Sequence, residues 1–475
     1  MAKVAFVQRN LNENLGAMYL SALLKRAGHE VECFIEPQEG SLIEAVAAYR
    51  PDIIGFTVFS GMHRWCLDVA CKLKRPNNII VFGGPHPTFF PKVILEDCVD
   101  VICVGEGEEA MVELADSFGG MGRIQGIRNL HVKVSGRVVA NEVRPLIGDL
   151  DSLPDPDRGL FYKYKHLRNN SRKTFMTSRG CPYGCTFCFN AGLRRLYEGK
   201  GQYVRFRSAV SVVDEILGVK GKYGLKSVFF QDDTFILDKK RLFRLLDEYR
   251  KRVNLPFTCL VRADLVDEGT VVALRGAGCV CVQFGIESGV EETRNKLLKK
   301  GVTDAQIFET ARLLKKHGIR FKTYNILRLP YETIGDAFRT VELNSLIGAD
   351  YPWASLLLPY PGTELAECML RGGMLPGGYD VDGLTGSFFN IKNPKRSDWE
   401  FINLQRLFFW AVKFPRLQPI IKILIRFPPN PVFDVLFLIG HAYNYMGSEN
   451  MGFFEVVHFG LKSVRTFISE SRGGG

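Results

Sequence analysis

The sequence predicts an α/β protein with a doubly wound parallel sheet of Rossmann type at the N-terminus, a six-stranded partial β/α barrel in the middle, and a mainly helical C-terminal region. Three observations predict it. Short β-rich runs alternate with helical patterns through about residue 145. The alternation resumes at Thr174 and continues to about residue 370, and beyond Gly372 and Gly373 large apolar residues interleave with lysines and arginines. At 475 residues, 46% hydrophobic and 24% charged, the chain is long enough for two or three globular domains.

The first block, residues 1–145, reads as strand Lys3–Gln8, helix Ala17–Ala27, strand Val31–Ile35, helix Leu42–Tyr49, and strands Asp52–Val58, Ile79–Phe82 and Val101–Val104. Ligands of such sheets sit at the carboxyl ends of the strands. Four loops fall there: Asn10–Gly16, Thr57–Gly61, Gly83–Pro87 and Gly105–Glu108. Glycines at strand ends let backbone approach a bulky ligand, though any tight turn also wants glycine. The order LGAMYLSALLKRAGHEV, DIIGFTVFSG, VFGGPHPTFFP, VGEGEEA resembles the cobalamin-binding domain that precedes many radical S-adenosylmethionine (SAM) enzymes. That resemblance implies cobalamin contacts at Asn14, Leu15, Gly16, Thr57, Ser60, Gly83, Gly84, His86, Gly105 and Glu106. One departure matters. A D-x-H-x-x-G motif ending at Gly16 would need aspartate and histidine where Leu11 and Glu13 stand. The alternatives are cobalamin without a lower histidine, or the same fold without cobalamin. His86 reads as packing near the ligand rather than ligating metal.

Residues 146–173 form the expected linker, with Pro145–Arg158 rich in proline and aspartate and a basic stretch from Phe161 to Arg179. The barrel is expected over 174–370, its first strand at Thr174–Thr177. Directly after it, TSRGCPYGCTFCFN (Thr177–Asn190) places Cys181, Cys185 and Cys188 within eight residues. Three thiolates at this spacing suit a soft metal centre. A closed zinc site would want a fourth nearby ligand, and the loop supplies none, which favours a four-iron four-sulfur cluster with one open iron. Phe187 beside the last cysteine would shield the cluster from water. By resemblance, C-x3-C-x-Φ-C is the signature of the radical SAM superfamily.

The repeat then runs helix Val210–Tyr223, strand Ser227–Gln231, helix Lys239–Val253, strand Phe257–Val261, helix Val271–Gly276, strand Val280–Gly285, helix Asp304–His317, strand Arg320–Leu327, helix Ile334–Leu346 and strand Trp353–Leu358. Its strand ends resemble the family's SAM-contacting segments: Asp232 and Asp233 near the methionine end, then Arg262, then Glu287 and Ser288 near the ribose. Phe187 and Leu329 are implied with them. Relatives commonly carry G-x-P-G-E-T at the fifth strand end, whereas Arg328 and Tyr331 replace both glycines here, reshaping the pocket or contacting substrate. Pro359–Leu365 resembles the P-Y-P-G-T-x-L segment of the cobalamin-dependent branch. It points Tyr360 toward the cavity as a catalytic candidate, with simple packing as the alternative.

Residues 391–475 carry eleven Lys or Arg against six Asp or Glu, 11 − 6 = +5, with no apolar run long enough to span a bilayer. The region reads as a helical lid over the barrel or as an interfacial helix on an anionic membrane. The whole-chain charge of +11 admits a membrane surface or phosphorylated substrates, while no motif supports nucleic acid. The N-terminus lacks a signal-peptide pattern, so a cytoplasmic protein is expected, with possible contact on the inner membrane face. Of the twelve cysteines, the nine outside the loop read mostly as buried small hydrophobes.

The resemblance implies a 4Fe–4S cluster, SAM and cobalamin as cofactors, a flavodoxin or ferredoxin as reductant, and cleavage of SAM to a 5′-deoxyadenosyl radical. The expected outcome is C-methylation of an unactivated carbon in a small, apolar or lipid-like molecule. Radical cyclisation, rearrangement or carbon–carbon coupling is the second reading, and a non-catalytic corrinoid carrier the third.

Overall fold

The computed structural model describes residues 1–118, 124–385, 389–391 and 394–449. It divides into two compact units: Met1–Asn170 with Leu193–Arg205, and Ser171–Gly192 with the chain from Phe206 onward.

The first unit is built on a seven-stranded sheet. Its strands are β1 (Lys3–Gln8), β2 (Glu30–Ile35), β3 (Ile53–Thr57), β4 (Ile79–Gly83), β5 (Val101–Cys103), β6 (Leu130–Val134) and β7 (Arg137–Ala140), in spatial order β2-β1-β3-β4-β5-β6-β7. The first five run parallel. Both faces are covered, which is why β3 and β4 read as continuous apolar runs rather than alternating ones. Ile54, Ile80, Phe82 and Ile102 are buried at the centre. The pair β6–β7 extends the sheet antiparallel. The sequence reading passed over it, although Ser135 and Gly136, at φ 48° and 77°, form the tight left-handed turn that a Ser-Gly pair between valine-rich runs signals.

Two expectations change here. Residues 146–170 are not an exposed linker: Leu150, Leu160, Phe161, Tyr162 and Leu167 are buried, and the Glu13 carboxylate accepts from Tyr162 Oη at 2.7 Å and pairs with Arg158 at 3.3 Å. Aromatic residues every few positions outweigh the prolines that suggested a linker. Cys71 and Cys98 form a disulfide rather than acting as separate hydrophobes, whereas Cys33, Cys66, Cys103, Cys259, Cys279 and Cys281 are buried thiols, as expected.

The second unit holds a six-stranded, all-parallel sheet of β8 (Arg172–Phe175), β9 (Ser227–Phe230), β10 (Phe257–Val261), β11 (Cys279–Glu287), β12 (Arg320–Leu327) and β13 (Tyr351–Leu356), in order β13-β12-β11-β10-β9-β8. Period-two alternation sorts its side chains. Phe230, Cys259, Phe284 and Phe321 are buried outward against the helix layer. The opposite face carries Phe229, Leu260, Tyr324, Ile326 and Trp353, all half-buried; Arg172 lies over the Phe229 ring and Phe389, Phe437 and His441 pack on Trp353. Helix starts are set by side-chain caps: Asp238, Thr303 and Thr333 each accept a backbone N–H of the following first turn.

Among the described residues the C-terminal helices pack against the barrel at its β13 edge. Helix Trp399–Lys413 packs on β13 and helix Ile334–Leu346, through Ile402, Leu407 and Phe408 against Leu327, Val341 and Leu356. Helix Pro431–Ser448 follows it, and Glu449 reaches the amino-terminal part of the sheet, pairing with Arg172 at 2.5 Å and Lys322 at 3.6 Å. Gln283 Nε2 donates to the same carboxylate at 3.3 Å. This charged plug sits away from the carboxyl ends where the cysteines lie. Residues 450–475 of the expected C-terminal region lie outside the described residues.

Candidate functional site

In the second unit, β8 runs straight into the cysteine loop, so Cys181, Cys185 and Cys188 stand at the carboxyl end of the sheet, each half-buried. Among the described residues no three His, Cys, Asp or Glu side chains gather as ligands of a single ion. The loop is gripped from beneath. Thr186 N donates to Leu298 O at 3.1 Å, its hydroxyl to Leu297 O at 2.8 Å, and Leu365 N returns to Thr186 O at 3.0 Å. Phe187 packs on Leu298, Leu329, Leu357 and Leu365, so Phe187 and Leu329 share one apolar floor under the loop.

The sulfurs meet nitrogen donors. Arg262 Nη1 lies 3.8 Å from Cys185 Sγ, and Asn190 Nδ2 lies 3.7 Å from Cys188 Sγ. Burial raises the Cys181 thiol and pushes Cys188 up to about 11. Without metal these two are thiols at neutral pH, and iron would have to displace their protons. Half-exposed sulfurs on a fixed loop, with N–H groups aimed at two of them, fit an iron–sulfur cluster of which the protein holds one side.

The acidic pair splits. Asp232 is fully buried and internal, accepting from Thr177 N at 3.1 Å, from Thr177 Oγ1 at 2.8 Å and from Ser178 Oγ. Its oxygens are thus spent on tying the end of β8 to the end of β9, which corrects the expectation that it receives an ammonium. Asp233 is exposed and hydrogen-bonded to Asn190, and its charge helps raise the Cys181 and Cys188 thiols. Arg262 is likewise committed. It pairs with Asp264 at 3.0 Å, donates to Lys300 O at 2.5 Å and lies 3.4 Å over the Tyr183 ring, so it braces the cysteine loop instead of awaiting a carboxylate.

At the end of β11, Glu287 adopts φ 67° and forms a buried pair with Lys300 at 2.7 Å. Gly285 makes room for it, since a Cβ there would fall 1.9 Å from Glu287 Oε1 and 2.7 Å from Lys300 Nζ. Ser288 is buried and accepts from Val290 N at 3.2 Å. Tyr360 stacks edge-on against Phe189 at 5.3 Å, next to the last cysteine, and desolvation pushes its hydroxyl up to about 12, so it is a neutral phenol. Arg328 and Tyr331 keep left-handed backbone, φ 65° and 63°, despite their bulk. Arg328 is anchored to Asp398 at 2.7 Å, while Tyr331 is 75% exposed.

The same turn carries a titrating group. Glu332 Oε2 accepts from Leu329 N at 3.0 Å, its Oε1 is buried without a partner, and desolvation raises the carboxyl to about 7, opposed by the backbone N–H groups of Leu329 and Arg328. A carboxyl with a raised folded pKa binds more protons folded than unfolded between its ordinary 4.5 and about 7. Stability therefore declines as pH rises through that window, by roughly 1–3 kcal/mol. Thermal midpoints of the metal-free protein at the two ends of the window should show this decline, and Glu332→Gln should flatten it. An unchanged slope in the variant would assign the titration elsewhere.

In the first unit, Asn14 caps helix Leu15–Arg26 through Oδ1 and Ala17 N at 3.1 Å, leaving Leu15 half-buried and Gly16 exposed. Gly84 sits at φ 94° and ψ −167°, a region open essentially to glycine, and a Cβ there would lie 3.2 Å from both Thr57 Cγ2 and Val58 O. Thr88 bridges two strand ends, donating to Gly84 O at 2.8 Å and accepting from Gly105 N at 3.1 Å. His86 is buried, bonded through Nδ1 to Ser60 Oγ at 3.1 Å and stacked on His63 at 4.6 Å, which is a packing role. Glu106 is held by Arg205 at 2.7 and 3.0 Å, and its N–H donates to Tyr197 Oη at 2.7 Å. Leu11 is buried and Glu13 is bound to Arg158 and Tyr162, so no histidine stands at either position of this strand end. Bare backbone at Gly16, Gly83 and Gly84, beside half-buried Thr57 and a 50%-exposed Phe59, fits a large flat ligand held by shape and backbone donors.

Sequence reasoning missed Asn190, Tyr183, Lys300, Thr88, Tyr197 and Arg205. Each is an ordinary residue type whose partner is distant in sequence or one turn away, so no spacing marks it.

Comparison with known proteins follows the same division. Residues 4–115 match the family model of the B12 binding domain, and residues 175–343 that of the radical SAM superfamily. An uncharacterized methyltransferase of Pyrococcus horikoshii is 30% identical over 371 residues, covering 76% of this chain and 79% of its own. An anaerobic magnesium-protoporphyrin IX monomethyl ester cyclase of Rubrivivax gelatinosus is 28% identical over 374 residues, covering 74% of this chain and 65% of the cyclase. Among solved structures, the radical SAM methyltransferase TsrM of Kitasatospora setae, with tryptophan substrate and a SAM analogue bound, matches with a TM-score of 0.70 at 18% identity over 100% of both chains.

Proposed function

The chain belongs to the cobalamin-dependent radical SAM family, and from that membership we propose that it methylates an unactivated carbon of an apolar or lipid-like small molecule. The observation that carries the reading is the cysteine loop at the carboxyl end of β8, with Arg262 3.8 Å from Cys185 Sγ and Asn190 3.7 Å from Cys188 Sγ. When bound, the cluster supplies the electron that divides SAM into methionine and a 5′-deoxyadenosyl radical, and cobalamin supplies methyl-carrying chemistry.

The residues divide the remaining work. Cys181, Cys185 and Cys188 would hold the cluster, and Arg262 and Asn190, donating to sulfur, would tune it. Phe187, Leu329 and Leu365 keep water from below it. Asp233 is the exposed acid beside the cysteines and accepts the SAM ammonium, charge-assisted. Glu287, fixed by Lys300, and the adjoining Ser288 segment form the ribose side. Tyr360 borders the reacting space as a neutral hydroxyl. Half-buried Leu260 and Ile326 on the lumen face support an apolar acceptor. Backbone around Gly16, Thr57, Ser60, Gly84 and Gly105 holds cobalamin without a histidine. We place the reaction in the cytoplasm, where a flavodoxin or ferredoxin can deliver the electron.

The cyclase relative supports a second reading, ring closure or carbon–carbon coupling on the same radical. Product mass separates the two. With methyl-deuterated SAM and an extract of apolar metabolites, a product heavier by one labelled methyl supports methylation, and a product changed without label supports cyclisation.

A further inference from the structure

Twenty large apolar side chains are exposed among the described residues, and nine of them fall between Phe414 and Tyr443. They are 39–65% exposed and include Ile420, Ile423, Phe427, Val432, Val435 and Ile439. On helix Pro431–Ser448 the stripe is regular: Val432, Val435, Ile439 and Tyr443 recur at helical spacing on one side, while Phe433, Phe437, Gly440 and Asn444 on the other are buried. Nine such side chains amount to a patch on the order of several hundred Å², at the upper end of what soluble monomers expose.

The charges around this patch are mainly basic, although Glu400 lies 3.8 Å from Arg426. From Lys413 to Ser448 the basic residues are Lys413, Arg416, Lys422 and Arg426, and the acidic residue is Asp434, a balance of 4 − 1 = +3. Asp434, half-exposed, pairs with Arg406 at 2.7 Å, and the balance of the segment stays positive. Prolines at 415, 419, 428, 429 and 431 break the segment into short helices, and no helix among the described residues is long and apolar enough to cross a membrane. A second copy of the chain is a poor occupant, because a two-fold contact would set two net-positive faces, each carrying Arg416 and Lys422, against one another.

We propose that this face docks on an anionic lipid bilayer, with the isoleucine and valine stripe in the interface and the arginines and lysines among the headgroups. It brings the second unit to the membrane surface whatever molecule accepts the methyl group. The full-length, cluster-loaded protein should co-sediment with vesicles of equal parts phosphatidylglycerol and phosphatidylcholine, and high salt should weaken this. Pure phosphatidylcholine should retain far less. Arg416→Glu with Arg426→Glu should reduce binding at least about tenfold, as two reversed charges near the surface require. Ile420→Ser with Ile423→Ser should do likewise. Both double variants should keep the thermal midpoint and the yield of 5′-deoxyadenosine in solution. Absence of binding to the anionic vesicles, or equal binding by the charge-reversed variant, overturns the proposal, as does a dimer that the isoleucine variant dissolves while vesicles are ignored.

Discussion

Replacing Cys181, Cys185 or Cys188 with alanine removes 5′-deoxyadenosine formation, a loss of at least about three orders of magnitude. Each sulfur must reach a different iron, and among the described residues no other cysteine stands on this loop to substitute. Cluster absorbance and iron content should fall with activity, while the fold persists, because the loop backbone is held by Thr186, Leu298 and Leu365 rather than by the metal. Cys368→Ala, a half-buried cysteine on helix Glu364–Arg371, serves as the control and should retain full iron. Full activity in any of the three loop variants would remove the cluster from the account.

The second large effect is expected in the other unit. Gly84→Val places a branched side chain on a backbone at φ 94° and ψ −167°, with Thr57 and Val58 3.2 Å from its Cβ. The strain costs about 1–3 kcal/mol and displaces the turn that Thr88 ties to Gly105. Corrinoid retained after gel filtration should therefore drop at least about tenfold. Iron content and SAM cleavage should persist, since the residue lies in a separate compact unit from the cysteine loop. Unaltered corrinoid content, with folding checked by the thermal midpoint, would mean that this strand end does not carry the ligand.

Much of this was legible in the sequence, for physical reasons that can be named. A strand buried on both faces leaves a continuous apolar run, as in β1, and the barrel strands β10 and β12 alternate; all three were read with their observed ends, as were the helices Leu42–Tyr49 and Ile334–Leu346. Cysteine spacing marked the loop because few chemistries want three thiols in eight residues. The fate of individual polar residues was not legible. Asp232 and Asp233 are adjacent and chemically identical, yet alternation along the chain sends one inward to Thr177 and Ser178 and the other to the open side. Arg262 could not be separated from a ligand-binding arginine until Asp264 and Tyr183 were seen beside it. The retention of left-handed backbone at Arg328 and Tyr331 was likewise hidden, since those residue types argue against it. The tail's composition read as helical, but its contacts were hidden: no spacing could show that Glu449 reaches Arg172 and Lys322 at the far end of the sheet.

Anaerobic reconstitution with iron, sulfide, cobalamin and SAM, with 5′-deoxyadenosine quantified after addition of a one-electron reductant, tests the central claim most directly. The account predicts 5′-deoxyadenosine that depends on reductant and on all three loop cysteines. A fully loaded iron–sulfur protein that binds SAM and yields none would contradict it.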